Sequence, residues 1–133
     1  MRLSRKSEYA CLALIDLAEQ HDQGPVKIGD ISHRKSIPKK YLEQILLTLR
    51  GAGFVRSTRG PGGGYNLAHK PSEISLAEII RLLDGALAPV ESVSEYFYSH
   101  SPVEAHEKLL KVFKEIRDYE ARLLERTTLA KLL

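Results

Sequence analysis

The sequence predicts a mainly α-helical chain: a winged helix-turn-helix with a small β-hairpin wing, followed by a long C-terminal dimerisation helix. Three observations carry this expectation. Two short helical patterns flank the break Ser36-Ile37-Pro38. A glycine-rich turn, Arg59-Gly60-Pro61-Gly62-Gly63-Gly64, joins two strand-like runs. An amphipathic pattern then extends from about residue 102 past residue 124. Helix, turn, helix and hairpin, in that order, make the winged-helix arrangement.

Each element follows from local signals. Ser4 suits the N-cap of a first helix running to about Gln20, with Leu12, Ile15 and Leu17, and beside them Ala10, Cys11 and Leu14, on a broad apolar face. The Gly24-Pro25 pair marks the loop that follows. A short helix is expected from about Lys27 to His33, with Ile28 and Ile31 turned inward. Pro38 fits the first turn of the next helix, where its missing N–H is not needed. In that helix Leu42, Ile45, Leu46 and Leu49 keep the i, i+3, i+4, i+7 spacing of a core face. Lys39, Lys40, Glu43, Leu47 and Arg50 lie away from this stripe, and Tyr41, Gln44 and Thr48 flank it. Gly51 and Gly53 are stop signals. Phe54–Thr58 and Tyr65–Ala68 read as the two strands of the wing.

The second half opens on a capping box, Ser75 to Glu78, with Ile74 and Ile79 as its hydrophobic staple, and the helix it starts runs to about Leu83 or Asp84. Gly85 to His100 is irregular. Ser101-Pro102-Val103-Glu104 is a second capping box with proline at the first helical position, and it is expected to begin the long helix. Leu109, Val112, Phe113, Ile116, Tyr119 and Leu123 line one stripe of that helix. So long an apolar stripe in so small a chain needs a partner, and the leading candidate is its twin in a second subunit.

Composition narrows the function classes. With 43% hydrophobic residues the chain can form a real core. Its longest apolar run, Ala10 to Ile15, is far too short to span a membrane, and no signal-peptide pattern follows the charged N-terminus, so the cytoplasm is the expected compartment. The single cysteine, Cys11, excludes an intramolecular disulfide. Charge is divided unevenly. Residues 1–70 hold 12 Lys and Arg against 6 Asp and Glu, whereas residues 71–133 hold 8 against 11. A basic front half suits a polyanion. No nucleophile–base pair, metal-ligand spacing or cofactor fingerprint is present, which argues against an enzyme.

A helix of the second helix-turn-helix position reaches base edges with its N-terminal residues. Here these are Pro38, Lys39, Lys40, Tyr41, Glu43 and Gln44. Lysine can donate to guanine O6 and N7, glutamine can pair with adenine, and glutamate can accept from cytosine N4. Lys39 and Lys40 serve equally well as phosphate contacts. At the wing tip Arg59, with Gly60 beside it, suits a minor groove, whose negative potential favours arginine. A nucleotide-binding loop is the weaker reading, because phosphate cradles lead into a helix and this turn leads into a strand.

The segments Met1-Arg2-Leu3-Ser4, Ile37-Pro38-Lys39-Lys40-Tyr41-Leu42-Glu43-Gln44-Ile45-Leu46 and Arg59-Gly60-Pro61-Gly62-Gly63-Gly64-Tyr65 resemble the Rrf2 family of bacterial winged-helix transcription regulators. The likeness continues through Ile79-Ile80-Arg81-Leu82-Leu83-Asp84-Gly85 to Thr127-Thr128-Leu129-Ala130. It implies homodimers on two-fold-related DNA half-sites, the long C-terminal helix at the dimer interface, Lys39, Lys40, Glu43 and Gln44 in the major groove and Arg59 in the minor groove. Cluster-binding members of that family carry three cysteines between the helix near residues 75–84 and the long helix. Ala88–His100 contains none. Glu8 matches an acidic ligand position of some members, but without the cysteines it reads as a surface carboxylate. No iron–sulfur cluster, other cofactor or metal is therefore expected, and Cys11 is expected to be buried and inert.

Tyr96, Phe97 and Tyr98 beside His100 line a small-molecule pocket, contact a partner protein, or pack a dimer interface. The last is preferred, since aromatics dominate cores and interfaces. His100 and His106 read as solvated. The expected organisation is a DNA-binding domain over residues 1–71, then a linker helix, an irregular sensor segment (Tyr96, Tyr98, His100) and a dimerisation helix over residues 72–133. The expected partners are double-stranded DNA, a second copy of the chain and a small-molecule or protein effector. The competing class is a winged-helix module that binds another protein and no DNA.

Overall fold

A computed structural model describes residues 2–133; Met1, the first residue of the N-terminal motif, lies outside the described residues. Seven main elements follow the predicted order: α1 (Arg5–Glu19), α2 (Ile28–Lys35), α3 (Lys39–Gly51), β1 (Val55–Thr58), β2 (Gly64–Leu67), α4 (Leu76–Asp84) and α5 (Glu107–Arg126). The fold class is the expected one, mainly helical with a two-stranded antiparallel hairpin.

Ser4 caps α1, its Oγ accepting from Ser7 N–H at 3.1 Å. The buried face of α1 is set by Ala10, Ala13, Leu14 and Leu17, and Leu12, expected on the core face, is 37% exposed. Small alanines on that face let α2, α3 and α4 approach closely. Leu14, Leu17, Ile31, Ile37, Leu42, Ile45, Leu46 and Leu49 form one fully buried cluster.

Helix α2 runs two residues further than its apolar pattern suggests. Arg34 and Lys35 reach back to α1 and pair with Asp16 and Glu19, which holds them on helical backbone. Ser36 then adopts a left-handed conformation (φ 54°), and Ser32 Oγ–H donates to Ile37 O at 2.6 Å across the turn. Pro38 stands at the N-cap of α3, one position before the helical turn in which it was expected.

In the wing Val55 pairs with Leu67 and Thr58 with Gly64. A contribution absent from the sequence reading comes from Val26. Its N–H donates to Tyr65 O at 2.9 Å and its O accepts from Tyr65 N–H at 2.7 Å, so the loop after α1 adds a bridge to the hairpin. At Gly63 a Cβ would fall 2.0 Å from Thr58 O, so no side chain fits there without the turn opening.

Ser75 caps α4, its Oγ accepting from Glu78 N–H. The Ser101/Glu104 capping box also forms, but it starts only a single 3-10 turn, Pro102–Ala105. The long helix begins after a second cap, His106, whose Nδ1 accepts from Leu109 N–H at 3.2 Å. This corrects the expectation of one continuous helix from Pro102.

Beyond α5 the chain turns back. Leu76 N–H donates to Thr127 O and Leu129 N–H to Ile74 O, both at 2.9 Å. Leu129 is wholly buried in the same cluster as Leu14 and Leu42, together with Ile74 and Ile79, so residues on either side of position 71 share one core. Leu129→Ala is expected to lower the stability of folding by about 2–5 kcal/mol, the usual cost of such a cavity. Urea unfolding of the two proteins measures the difference, and a change below about 1 kcal/mol would show that the tail is not part of the core.

Candidate nucleic-acid interface

The four core leucines and isoleucines of α3 are fully buried, which fixes the rotation of the helix and turns Lys39, Lys40, Glu43 and Gln44 to solvent. The first turn of α3 carries no acidic side chain. The positive end of the helix dipole therefore adds to the charge of the two lysines. Tyr41 is placed differently from its neighbours. Its ring meets Tyr9 of α1 edge to face, 5.4 Å between centroids and 84° between planes, so it is tied to the α1–α3 seam although 41% exposed.

Asp16 is 1% exposed and takes a two-pronged bond from Arg34, Nε to Oδ1 at 2.8 Å and NH2 to Oδ2 at 2.9 Å. This fork fixes α2 against α1, and hence the turn that presents α3. Arg50 NH1 donates to Ser57 Oγ at 3.2 Å, linking the end of α3 to the wing. Arg59 and Gly60 stand exposed at the wing tip, where Gly60 has φ 98°. Most other residues would be strained in that conformation.

Between the wing, the start of α2 and the start of α3 lies an open cleft of about 480 Å³, lined by Lys27, Asp30, Lys39, Thr58, Gly60 and Tyr65 among others. The cleft joins two of the predicted DNA-facing residues, Lys39 and Gly60. Lys27 was not singled out from the sequence. Only its position just before α2 hints at a role, and the Val26 bridge is what brings it beside the wing.

The sensor-segment residues lie elsewhere. Tyr96 and Tyr98 are exposed in the single chain. The guanidinium of Arg81 lies over the Tyr96 ring at 5.1 Å. Tyr98 OH donates to Glu104 Oε1 at 2.8 Å, and His100 Nδ1 meets the other oxygen of Glu104. His100 is exposed, as expected, yet not solitary. On α5 no residue is buried. Leu109, Val112, Ile116, Tyr119 and Leu123 are 39–63% exposed and Phe113 is half-buried, an apolar stripe on one side of the molecule.

The match to known proteins decides the family. The family model for Rrf2, described as an iron-dependent transcriptional regulator, covers residues 3–133. The chain belongs to the Rrf2 family. It is 35% identical to the HTH-type transcriptional regulator CymR of Bacillus subtilis over 129 residues, 97% of this chain and 87% of that protein. It is 48% identical to the HTH-type transcriptional regulator IscR of Aliivibrio salmonicida over 84 residues, 63% of this chain, and the match spans only half the length of that IscR. The solved structure of CymR (YrzC), the global cysteine regulator of B. subtilis, superposes with a TM-score of 0.82 at 34% identity, covering 99% of this chain and 95% of that one. DNA is thus the partner the Rrf2 fold implies. Among the described residues no helix is long and apolar enough to cross a membrane.

The family's description names iron, so the metal-donating side chains of this chain bear directly on it. A cluster needs thiolates. Burial, with the nearby charge of Asp84 adding to it, pushes the Cys11 thiol up to about 11, so it stays protonated at neutral pH. Cys11 is only partly buried by surface exposure but packs against the core, and Glu8 is exposed beside Arg5. Among the described residues no three His, Cys, Asp or Glu side chains converge. The donor set of this chain does not fit an iron–sulfur cluster.

Proposed function

We propose that this Rrf2 protein is a sequence-specific DNA-binding regulator that works as a homodimeric repressor in the cytoplasm, by occupying promoter DNA. The observation that carries the reading is the exposed row Lys39, Lys40, Glu43 and Gln44 on a rigidly anchored α3, flanked by Arg59 and Gly60 on the wing. Lys39 and Lys40 supply phosphate or guanine contacts, Glu43 and Gln44 read base edges, and Arg59 enters the adjacent minor groove. Lys27 adds a cation beside Lys39 in the cleft, and Tyr41 ties the first turn of α3 to α1 through Tyr9.

The stripe Leu109, Val112, Phe113, Ile116, Tyr119 and Leu123 supplies the second half of the reading. Paired α5 helices would remove it from water and set two α3 helices on two-fold-related half-sites. The segment from Gly85 to His100 carries the effector response in place of a cluster.

Selection of binding sites from a random duplex pool tests the assignment of base readout. The wild-type protein is expected to enrich two half-sites related by a two-fold axis. Gln44→Ala is expected to relax the preference at one base pair in each half, at a cost of about 1–3 kcal/mol for the preferred base. Equal weakening on every sequence would show that Gln44 does not read a base.

A further inference from the structure

We propose that the cavity between α4, the segment 87–97 and α5 binds a small zwitterion of the α-amino-acid type. The proposal rests on reading Gly85–His100 as the effector segment and gives that segment a ligand class.

The cavity measures about 320 Å³, and its lining includes Arg81, Glu95, Tyr96, Phe97, Arg117 and Asp118. That volume suits a small metabolite. Its lining mixes charges: two guanidiniums, Arg81 and Arg117, and two carboxylates, the exposed Glu95 and Asp118, the latter already paired through Oδ1 with Arg117. A simple anion would meet the carboxylates and a simple cation the guanidiniums. A zwitterion satisfies both, with its carboxylate between the arginines and its ammonium toward the acids. Leu87, Phe97 and Ala121 offer an apolar wall for a side chain.

Both arginines are held in place before any ligand arrives. Arg117 donates from Nε and NH2 to Asp118 Oδ1, at 2.9 and 2.7 Å, and from NH1 to Val93 O at 3.1 Å. A guanidinium has five N–H donors, so these three bonds leave others to meet a ligand. Arg81 donates to Glu125 Oε1 at 2.7 Å and lies over the Tyr96 ring. About three-quarters of each arginine side chain is covered, so charge-assisted bonds formed there are screened less than at an open surface.

The same cavity adjoins the DNA-binding part of the chain. The Phe97 ring lies 3.7 Å from where a Cβ of Gly85 would stand, and Gly85 caps α4. Asp84, the residue before it, accepts from Ser4 N–H at 2.9 Å and from Ser4 Oγ–H at 2.6 Å. Ser4 is the cap of α1. A ligand that shifts Phe97 therefore acts on the bond joining α4 to α1.

Thermal unfolding of the full chain with each of the twenty protein amino acids at about 10 mM tests the site. At least one is expected to raise Tm by about 3–6 °C, as for a ligand in large excess over its Kd. Its amide, which lacks the carboxylate, and its N-acetyl form, which lacks the ammonium, are expected to lose most of the shift. Arg81→Gln and Arg117→Gln, checked for native circular dichroism, are expected to abolish it. The proposal is overturned if none of the twenty shifts Tm, if both capped forms act equally well, or if the shift survives in both arginine variants. Duplex binding with the ligand present separates the two readings. A change of about fivefold or more supports both. Unchanged duplex affinity, with the thermal shift and its loss in the variants intact, upholds the site and overturns the effector role of the segment.

Discussion

Replacing Lys39 and Lys40 together by alanine is expected to weaken duplex binding about 100-fold or more while leaving stability nearly unchanged. Both side chains are exposed on α3, and the helix is anchored by Leu42, Ile45, Leu46 and Leu49 on its opposite face. Surface truncations away from such anchors usually change stability by no more than about 0.5 kcal/mol. In a two-fold dimer the double substitution removes four cations from the DNA-facing surface. Each phosphate contact contributes about 0.9 to the slope of log affinity against log salt, so the slope should become shallower by up to about 3.6. If the lysines read guanine instead, the loss concentrates on the preferred sequence and the non-specific slope changes little. Fluorescence anisotropy with a selected and a scrambled duplex distinguishes the two. An unchanged Kd on both would remove α3 from the interface.

Ile116→Glu is expected to convert a dimer to a monomer. Ile116 sits in the middle of the α5 stripe, with Val112 and Tyr119 one turn away on either side. In the single chain it is already partly exposed, so the charge does not enter the core of the protomer. In a paired interface two glutamates would meet near the two-fold axis without partners, and burying an unpaired charge costs several kcal/mol. Sedimentation should report one chain in place of two. Affinity for a duplex with both half-sites should fall by about 10²–10⁴, the loss of linked binding, while affinity for a single half-site is retained. An unchanged mass would mean that another surface joins the subunits.

Local signals carried most of the fold. Ser4 and Ser75 cap the helices they were expected to cap, and the spacing of Leu42, Ile45, Leu46 and Leu49 correctly placed the polar face of α3. Errors arose where tertiary partners decide the outcome. Arg34 and Lys35 lengthen α2 because Asp16 and Glu19 are waiting on α1, and periodicity cannot register a salt bridge 16 to 18 residues away. His106 starts α5 because the Ser101 box is spent on one short turn. Val26 and Leu129 are apolar residues in unpatterned stretches, and only the folded chain shows that one completes the wing and the other the core. The same holds for the candidate sites. Exposed residues of one helix, such as Lys39 and Gln44, were legible together. Lys27, and the cavity between Arg81 and Arg117, depend on segments brought close by the fold and leave no pattern in the chain.

The most direct test of the central claim is a salt titration of full-chain binding to a selected duplex, from about 50 to 200 mM, with the wild-type protein beside the Lys39→Ala, Lys40→Ala variant. Binding by α3 and the wing predicts a steep linear fall of log affinity with log salt for the wild type, through counterion release, and a shallower line for the variant. No measurable affinity for duplex at about 50 mM salt, or an affinity indifferent to salt and to both lysines, would contradict it and would favour a winged-helix module that binds protein.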